Sequence, residues 1–189
     1  MSAGASNRYD SFSVALHWLT VFLVVGAFIL GPEGFGKLTR QGLDPATRWD
    51  IVWHESLGML VFVVTLVRLA WSAVRPDPPR HGMAVWMRLL SRCVQGGLWL
   101  LMLSLPLTAM LSLAGEGHAM TLWWPTHLDL SAAVGRLAIA HWFDWGDVHG
   151  VLGDAIMWLA GLHAFAALYH GAVLKDGVLT SMLPSRLVP

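Results

Sequence analysis

VHGVLGDAIMWLAGLHAFAALYHGAV, residues 148–173, is the stretch whose reading decides the fold. It is apolar and long enough to cross a bilayer as a helix, for which about 20 residues suffice. Yet it carries histidines at 149, 163 and 170. His149 and His163 are fourteen residues apart. That is nearly four helical turns, so both imidazoles point to one side, about 21 Å apart along the axis. A histidine inside a membrane span is costly, and by default it marks function.

The rest of the chain agrees with a membrane setting. Its 189 residues are 56% hydrophobic and 13% charged, against about a quarter charged in soluble domains. One domain is the natural count for this length. The formal net charge is zero and no basic cluster stands out, which excludes a nucleic-acid partner. The single Cys93 rules out an internal disulfide and a Cys-x-x-Cys-His attachment of haem. Residues 1–13 are polar with Arg8 ahead of the first apolar run. No small-residue cleavage motif follows that run, so it is expected to be a retained anchor.

Apolar runs of spanning length fall at about 13–31, 51–71, 93–114 and 148–173. The expected fold is therefore an all-α membrane protein, a bundle of four transmembrane helices, with Pro106 kinking the third. The third connection, roughly 115–147, is long and holds Trp123, Trp124, Pro125, Trp142 and Trp145. Orientation follows from Lys and Arg. Arg8, Arg68, Arg75, Arg80, Arg88, Arg92, Lys175 and Arg186 belong to one side, and Lys37, Arg40, Arg48 and Arg136 to the other. Eight against four puts both termini in the cytoplasm. Trp18, Trp71 and Trp86 then form an inner aromatic belt, and Trp49, Trp53 and the tryptophans of the long connection an outer one.

With that orientation, the first span runs outward and places His17 near its inner start. The second runs inward and places His54 near the outside. The fourth places His149 outside and His163 half a bilayer below. Depth pairs His54 with His149 and His17 with His163. Neutral imidazole is a standard axial ligand of haem iron, and two imidazoles saturate it. Two stacked, non-covalent b-type haems are therefore expected, suited to electron transfer rather than oxygen binding.

Arg68, fourteen residues after His54, shares its helical face at the depth of the inner pair. It either meets a haem propionate as a charge-assisted pair or snorkels to the headgroups. His170, seven residues beyond His163, is too close to carry a third haem. It either serves a membrane-borne quinone as hydrogen-bond partner and proton source or is a plain interfacial histidine. Glu55 is read as interfacial rather than catalytic. His81, His118, His127 and His141 fall in connections and are expected to be solvated, and Asp154 lies off the haem face without an assigned role.

Ordered along the chain, these residues resemble the bacterial cytochrome b561 family. The matching stretches are Ser13-Val-Ala-Leu-His17-Trp18, Val52-Trp-His54-Glu-Ser-Leu-Gly58, Val67-Arg68-Leu69, Asp147-Val-His149-Gly-Val-Leu-Gly153 and Gly161-Leu-His163 through His170. The tail Lys175-Asp176-Gly-Val-Leu-Thr-Ser-Met-Leu-Pro184 is similar to the family's closing motif. The resemblance implies a four-helix di-haem protein of the bacterial inner membrane that exchanges electrons with ubiquinone. One member type is a superoxide oxidase, in which superoxide reduces the outer haem and quinone is reduced near the inner one, at the position of His170. Other members are electron-accepting subunits for separate redox proteins.

The expected activity is thus a superoxide:ubiquinone oxidoreductase in the lipid bilayer. The alternatives are a haem-bearing anchor that docks a soluble redox partner, and a haem-free structural bundle. The external side bears Glu33, Asp44, Asp50, Glu116, Asp129, Asp144 and Asp147 against four bases, which does not obviously attract an anion. A local grouping of Lys37, Arg40, Arg48 and Arg136 is the feature that would.

Overall fold

The computed structural model describes residues 8–31, 42, 44, 47–75, 79, 82–123 and 126–184. Glu33, Lys37, Arg40, Arg80, His81, Trp124, Pro125 and Arg186, all used above, lie outside the described residues. Four helices are long and apolar enough to cross a membrane, and the chain is a multi-pass membrane protein. They are α1 (Ser11–Ile29), α2 (Trp49–Val74), α3 (Val85–Glu116) and α4 (Trp145–Tyr169). A π-helical turn, His170–Leu174, extends α4, and a short α5 (Val178–Ser181) closes the chain.

Local chemistry fixes the ends. Asp10 caps α1 by accepting the Ser13 amide at 2.8 Å and the Ser13 hydroxyl at 2.6 Å. Burial opposes ionisation of Asp10, but the hydrogen bonds from Ser13 and Trp71 outweigh it and hold the carboxyl below its ordinary value. Asp144 caps α4 through the Asp147 amide at 3.1 Å. Gly117, left-handed at φ 75°, ends α3. α3 begins at Val85, ahead of the apolar run that starts near Cys93. Arg88 and Arg92 interrupt the apolar pattern there, but arginine is a good helix former.

α1 packs on α2, α3 on α4, and α2 bridges to α3. Leu23, Val61, Met102 and Ile156, one from each helix, meet in a small central core. Large apolar side chains such as Phe22, Trp158 and Phe165 point outward, as a lipid-facing surface requires.

The two ends of the bundle differ. At the end that carries both termini, the tail folds back over the helices. The Trp18 indole donates to the Met182 carbonyl at 2.9 Å, and Arg8 donates to the Leu183 carbonyl at 2.6 Å. At the opposite end a two-stranded antiparallel ribbon, β1 (Met120–Thr121) with β2 (His127–Leu128), lies over the start of α2. Two side chains of α2 hold it. Glu55 accepts the Thr121 amide at 2.6 Å, and Ser56 accepts the Trp123 amide at 2.9 Å. Trp53 meets Trp123 edge to face, with centroids 5.8 Å apart.

Candidate functional site

The structure brings the four span histidines together in two pairs. His54 and His149 face each other at the ribbon end, with ring centroids 5.9 Å apart and planes at 82°. His17 and His163 do so toward the terminal end, at 6.4 Å and 70°. An imidazole nitrogen sits about 2.0–2.1 Å from a bound metal, with the ring centre about 1.1 Å behind it. Two imidazoles on opposite sides of one metal therefore have centroids about 6.3 Å apart. At 6.4 Å the His17–His163 pair has that spacing, and at 5.9 Å the His54–His149 pair falls slightly inside it. Among the described residues no three His, Cys, Asp or Glu side chains converge as a bare metal ion would need. The donor set is two nitrogens per site, which fits a metal whose other ligands come from a macrocycle.

Backbone carbonyls orient the ribbon-end pair. His54 Nδ1 donates to the Ala27 carbonyl on α1 at 2.7 Å, and His149 Nδ1 donates to the Leu105 carbonyl on α3 at 2.9 Å. A proton held on Nδ1 leaves Nε2 with its lone pair, the tautomer a metal needs. The two rings open onto a cleft that is partly open at the surface. Its walls include Val24, Phe28, Gly58, Leu105, Gly153 and Ile156. The lining is almost wholly apolar, as suits a flat organic cofactor. Gly58 and Gly153 each stand in open space on the sides that carry the histidines.

Around the terminal-end pair the surroundings are polar. Arg68 reaches inward, donating to Thr20 Oγ1 at 3.0 Å and lying over the Trp99 ring at 4.8 Å. Thr20 lies one turn beyond His17 on α1, which puts the guanidinium at the level of this pair. Of the two readings of Arg68 from sequence, the extended headgroup-seeking one does not describe this conformation. Thr65, a turn before Arg68 on α2, is fully buried, and its hydroxyl has no hydrogen-bond partner.

His170 opens the π-helical turn, and its Nδ1 donates to Asp176 Oδ2 at 2.6 Å. A tight reversal makes this pair possible. Lys175 and Gly177 both take left-handed backbone, at φ 50° and 83°, and the Asp176 Oδ1 accepts the Val178 amide at 3.2 Å. Burial opposes ionisation of Asp176, but the hydrogen bonds from His170 and Val178 outweigh it and keep the carboxyl below its usual value. Asp154 is exposed on α4. On the ribbon side, Arg48 is paired with Asp50, Nε to Oδ1 at 2.8 Å, whereas Arg136 is exposed.

Sequence reasoning placed Thr65 on the His54 face and Asp176 in the closing stretch, but missed the unpartnered hydroxyl of the first, the bond of the second to His170 and the role of Glu55. Glu55 is buried, not interfacial, and lines the cleft beside His54 while holding the ribbon. Glu55→Ala leaves the Thr121 amide buried without an acceptor, which costs about 1–3 kcal/mol. Thermal melts in detergent should show the loss for Glu55→Ala and spare most of it in Glu55→Gln, which keeps an acceptor oxygen. Equal melting of Glu55→Ala and wild type would mean the clip contributes nothing.

Comparison with known proteins agrees with this arrangement. The sequence profile of the family described as prokaryotic cytochrome b561 matches residues 8–185. The chain is similar to cytochrome b561 homolog 2 of Escherichia coli strain K12, with 27% identity over 94% of this chain and 92% of that protein. It is also similar to the probable superoxide oxidase CybB of Yersinia pestis, with 26% identity over 95% and 98%. Cytochrome b562 of Cereibacter sphaeroides is 31% identical over 94% and 96%. With its four spanning helices and its histidines paired between them, the chain belongs to the prokaryotic cytochrome b561 family, membrane electron-transfer proteins that bind b-type haem.

Proposed function

We propose that the protein holds two b haems, one between His54 and His149 and one between His17 and His163, in the bacterial inner membrane with both termini in the cytoplasm. On this reading it takes electrons from superoxide at the ribbon end and delivers them to ubiquinone at the terminal end. The observation that carries it is the pair of imidazole couples at opposite ends of one bundle, their ring centroids 5.9 and 6.4 Å apart, close to the spacing of two imidazoles that share a metal. The haems supply reversible one-electron redox chemistry; the chain supplies position, burial and proton handling.

Superoxide as donor is supported by the printed name of the Yersinia pestis relative. The local grouping of bases that would steer an anion is weakened, because Arg48 is paired with Asp50. Two superoxide anions each give up one electron and leave as dioxygen, and ubiquinone takes two electrons and two protons to become ubiquinol. His170 is the residue we assign to the quinone. Asp176 fixes the proton on its Nδ1, so Nε2 is free to accept or deliver a proton at a quinone oxygen.

A second reading, an anchor that docks a soluble redox protein, is favoured by the exposed Trp142 and Phe143 at the ribbon end. Rapid mixing of purified protein with superoxide alone separates the two. Direct haem reduction supports the first reading, and reduction that requires an added protein supports the second. His170→Ala should keep both haems and fast reduction but slow reoxidation by a soluble ubiquinone analogue about ten-fold, the effect of one hydrogen bond to a charged group. Unchanged reoxidation would move the quinone site elsewhere.

A further inference from the structure

Buried polar groups in folded proteins find partners, and the few that lack them point to a missing one. Two such groups lie side by side on α2. Thr65 is fully buried with an unpartnered hydroxyl. Arg68, one turn on, holds its guanidinium inside the bundle, yet among the described residues no carboxylate pairs with it. A guanidinium has five N–H donors, and an arginine turned into a bundle calls for an anion. Thr20 does not satisfy that need. Its hydroxyl donates to the Leu16 carbonyl at 2.7 Å and accepts from Arg68, so it orients the guanidinium and leaves the remaining N–H groups free. Both orphan groups lie on the side of α2 that carries His54, and Thr20, which Arg68 touches, is one turn beyond His17 on α1.

We propose that Thr65 and Arg68, with Thr20 as the orienting residue, form a carboxylate niche that binds a propionate of the haem held by His17 and His163. The niche rests on the di-haem reading above. Thr65 is a positioning residue: its hydroxyl donates to the propionate, and the propionate neutralises Arg68. Among the described residues nothing of this kind surrounds the His54–His149 cleft, whose lining is almost wholly apolar. The niche therefore marks the two sites as chemically different.

The test is spectroelectrochemical titration of the intact protein, with the inner haem identified as the one lost in His17→Ala. Thr65→Val keeps the shape and removes the hydroxyl. It should lower the midpoint potential of the inner haem by up to about ten-fold in the reduction equilibrium, about 59 mV for one electron. The outer haem should not move, and Thr65→Ser should behave as wild type. An unchanged inner potential, or equal shifts of both haems, overturns the niche. A second measurement needs no variant at position 65: reconstitution of wild-type apoprotein with haem dimethyl ester, which lacks free carboxylates. Filling of the outer site with poor filling of the inner one supports the niche. Equal filling of both overturns it and leaves the Arg68 anion to a lipid phosphate. A wild type that holds one haem is a different failure, read from stoichiometry alone, and it sinks the di-haem reading and the niche together.

Discussion

Replacing His149 by alanine should take the haem content from two per chain to one and leave the spectrum of the surviving haem intact. His54→Ala should remove the same haem, and His17→Ala and His163→Ala the other. The reason is geometric. Each iron would have one imidazole from each of two helices, and the pairs do not share a residue. At the ribbon end, the carbonyls of Ala27 and Leu105 hold the proton on Nδ1 of His54 and His149. Loss of one ring therefore leaves a partner that cannot swing to a substitute, since its own Nδ1 is tethered. Pyridine haemochrome assay against protein concentration gives the stoichiometry, and low-temperature electron paramagnetic resonance separates the two low-spin signals. Loss of one and the same haem in His54→Ala and His163→Ala would contradict the pairing.

The second large effect is expected at a residue with no chemistry. Gly135 sits where the connection between α3 and α4 turns back against the end of α3. A Cβ there would lie 2.6 Å from the Ser131 carbonyl oxygen and closer still to that of Ala114. Both obstacles are backbone, so neither can rotate away, and relief requires the whole segment to lift. Overpacking of this kind costs about 1–3 kcal/mol and sometimes more, and Gly135→Ala should fall at the upper end. Gly96→Ala on α3 meets nothing within 4 Å and should be neutral or stabilising, because alanine favours helix over glycine by about 1 kcal/mol. Thermal melts of the two variants in one detergent make the comparison. Parallel melts would show that the connection yields at Gly135 without strain.

What the sequence disclosed and what it hid divide along a physical line. Spacing along a helix is a local property, so the fourteen-residue interval between His149 and His163, and the faces they share, could be read directly. The four spans were legible for the same reason, being runs of apolar residues long enough to cross a bilayer. Contacts between distant segments were not. Glu55 looked interfacial because its partner, the Thr121 amide, is 66 residues away in the chain. The ribbon has strands of two residues each, too short for any alternation to register. Asp176 came to His170 only through a turn with left-handed backbone at Lys175, a residue type that gives no warning of it. Arg68 left two readings open because burial of a guanidinium depends on Thr20 and Trp99, neither on its own helix.

The cleft beside His54 and His149 also bears on how the protein is made. Its walls come from all four helices, so a cofactor seated there would give each of them packing partners. Whatever fills it stabilises the native state by mass action. Limited proteolysis of the membrane-inserted chain should therefore slow when haem is supplied and quicken when it is withheld.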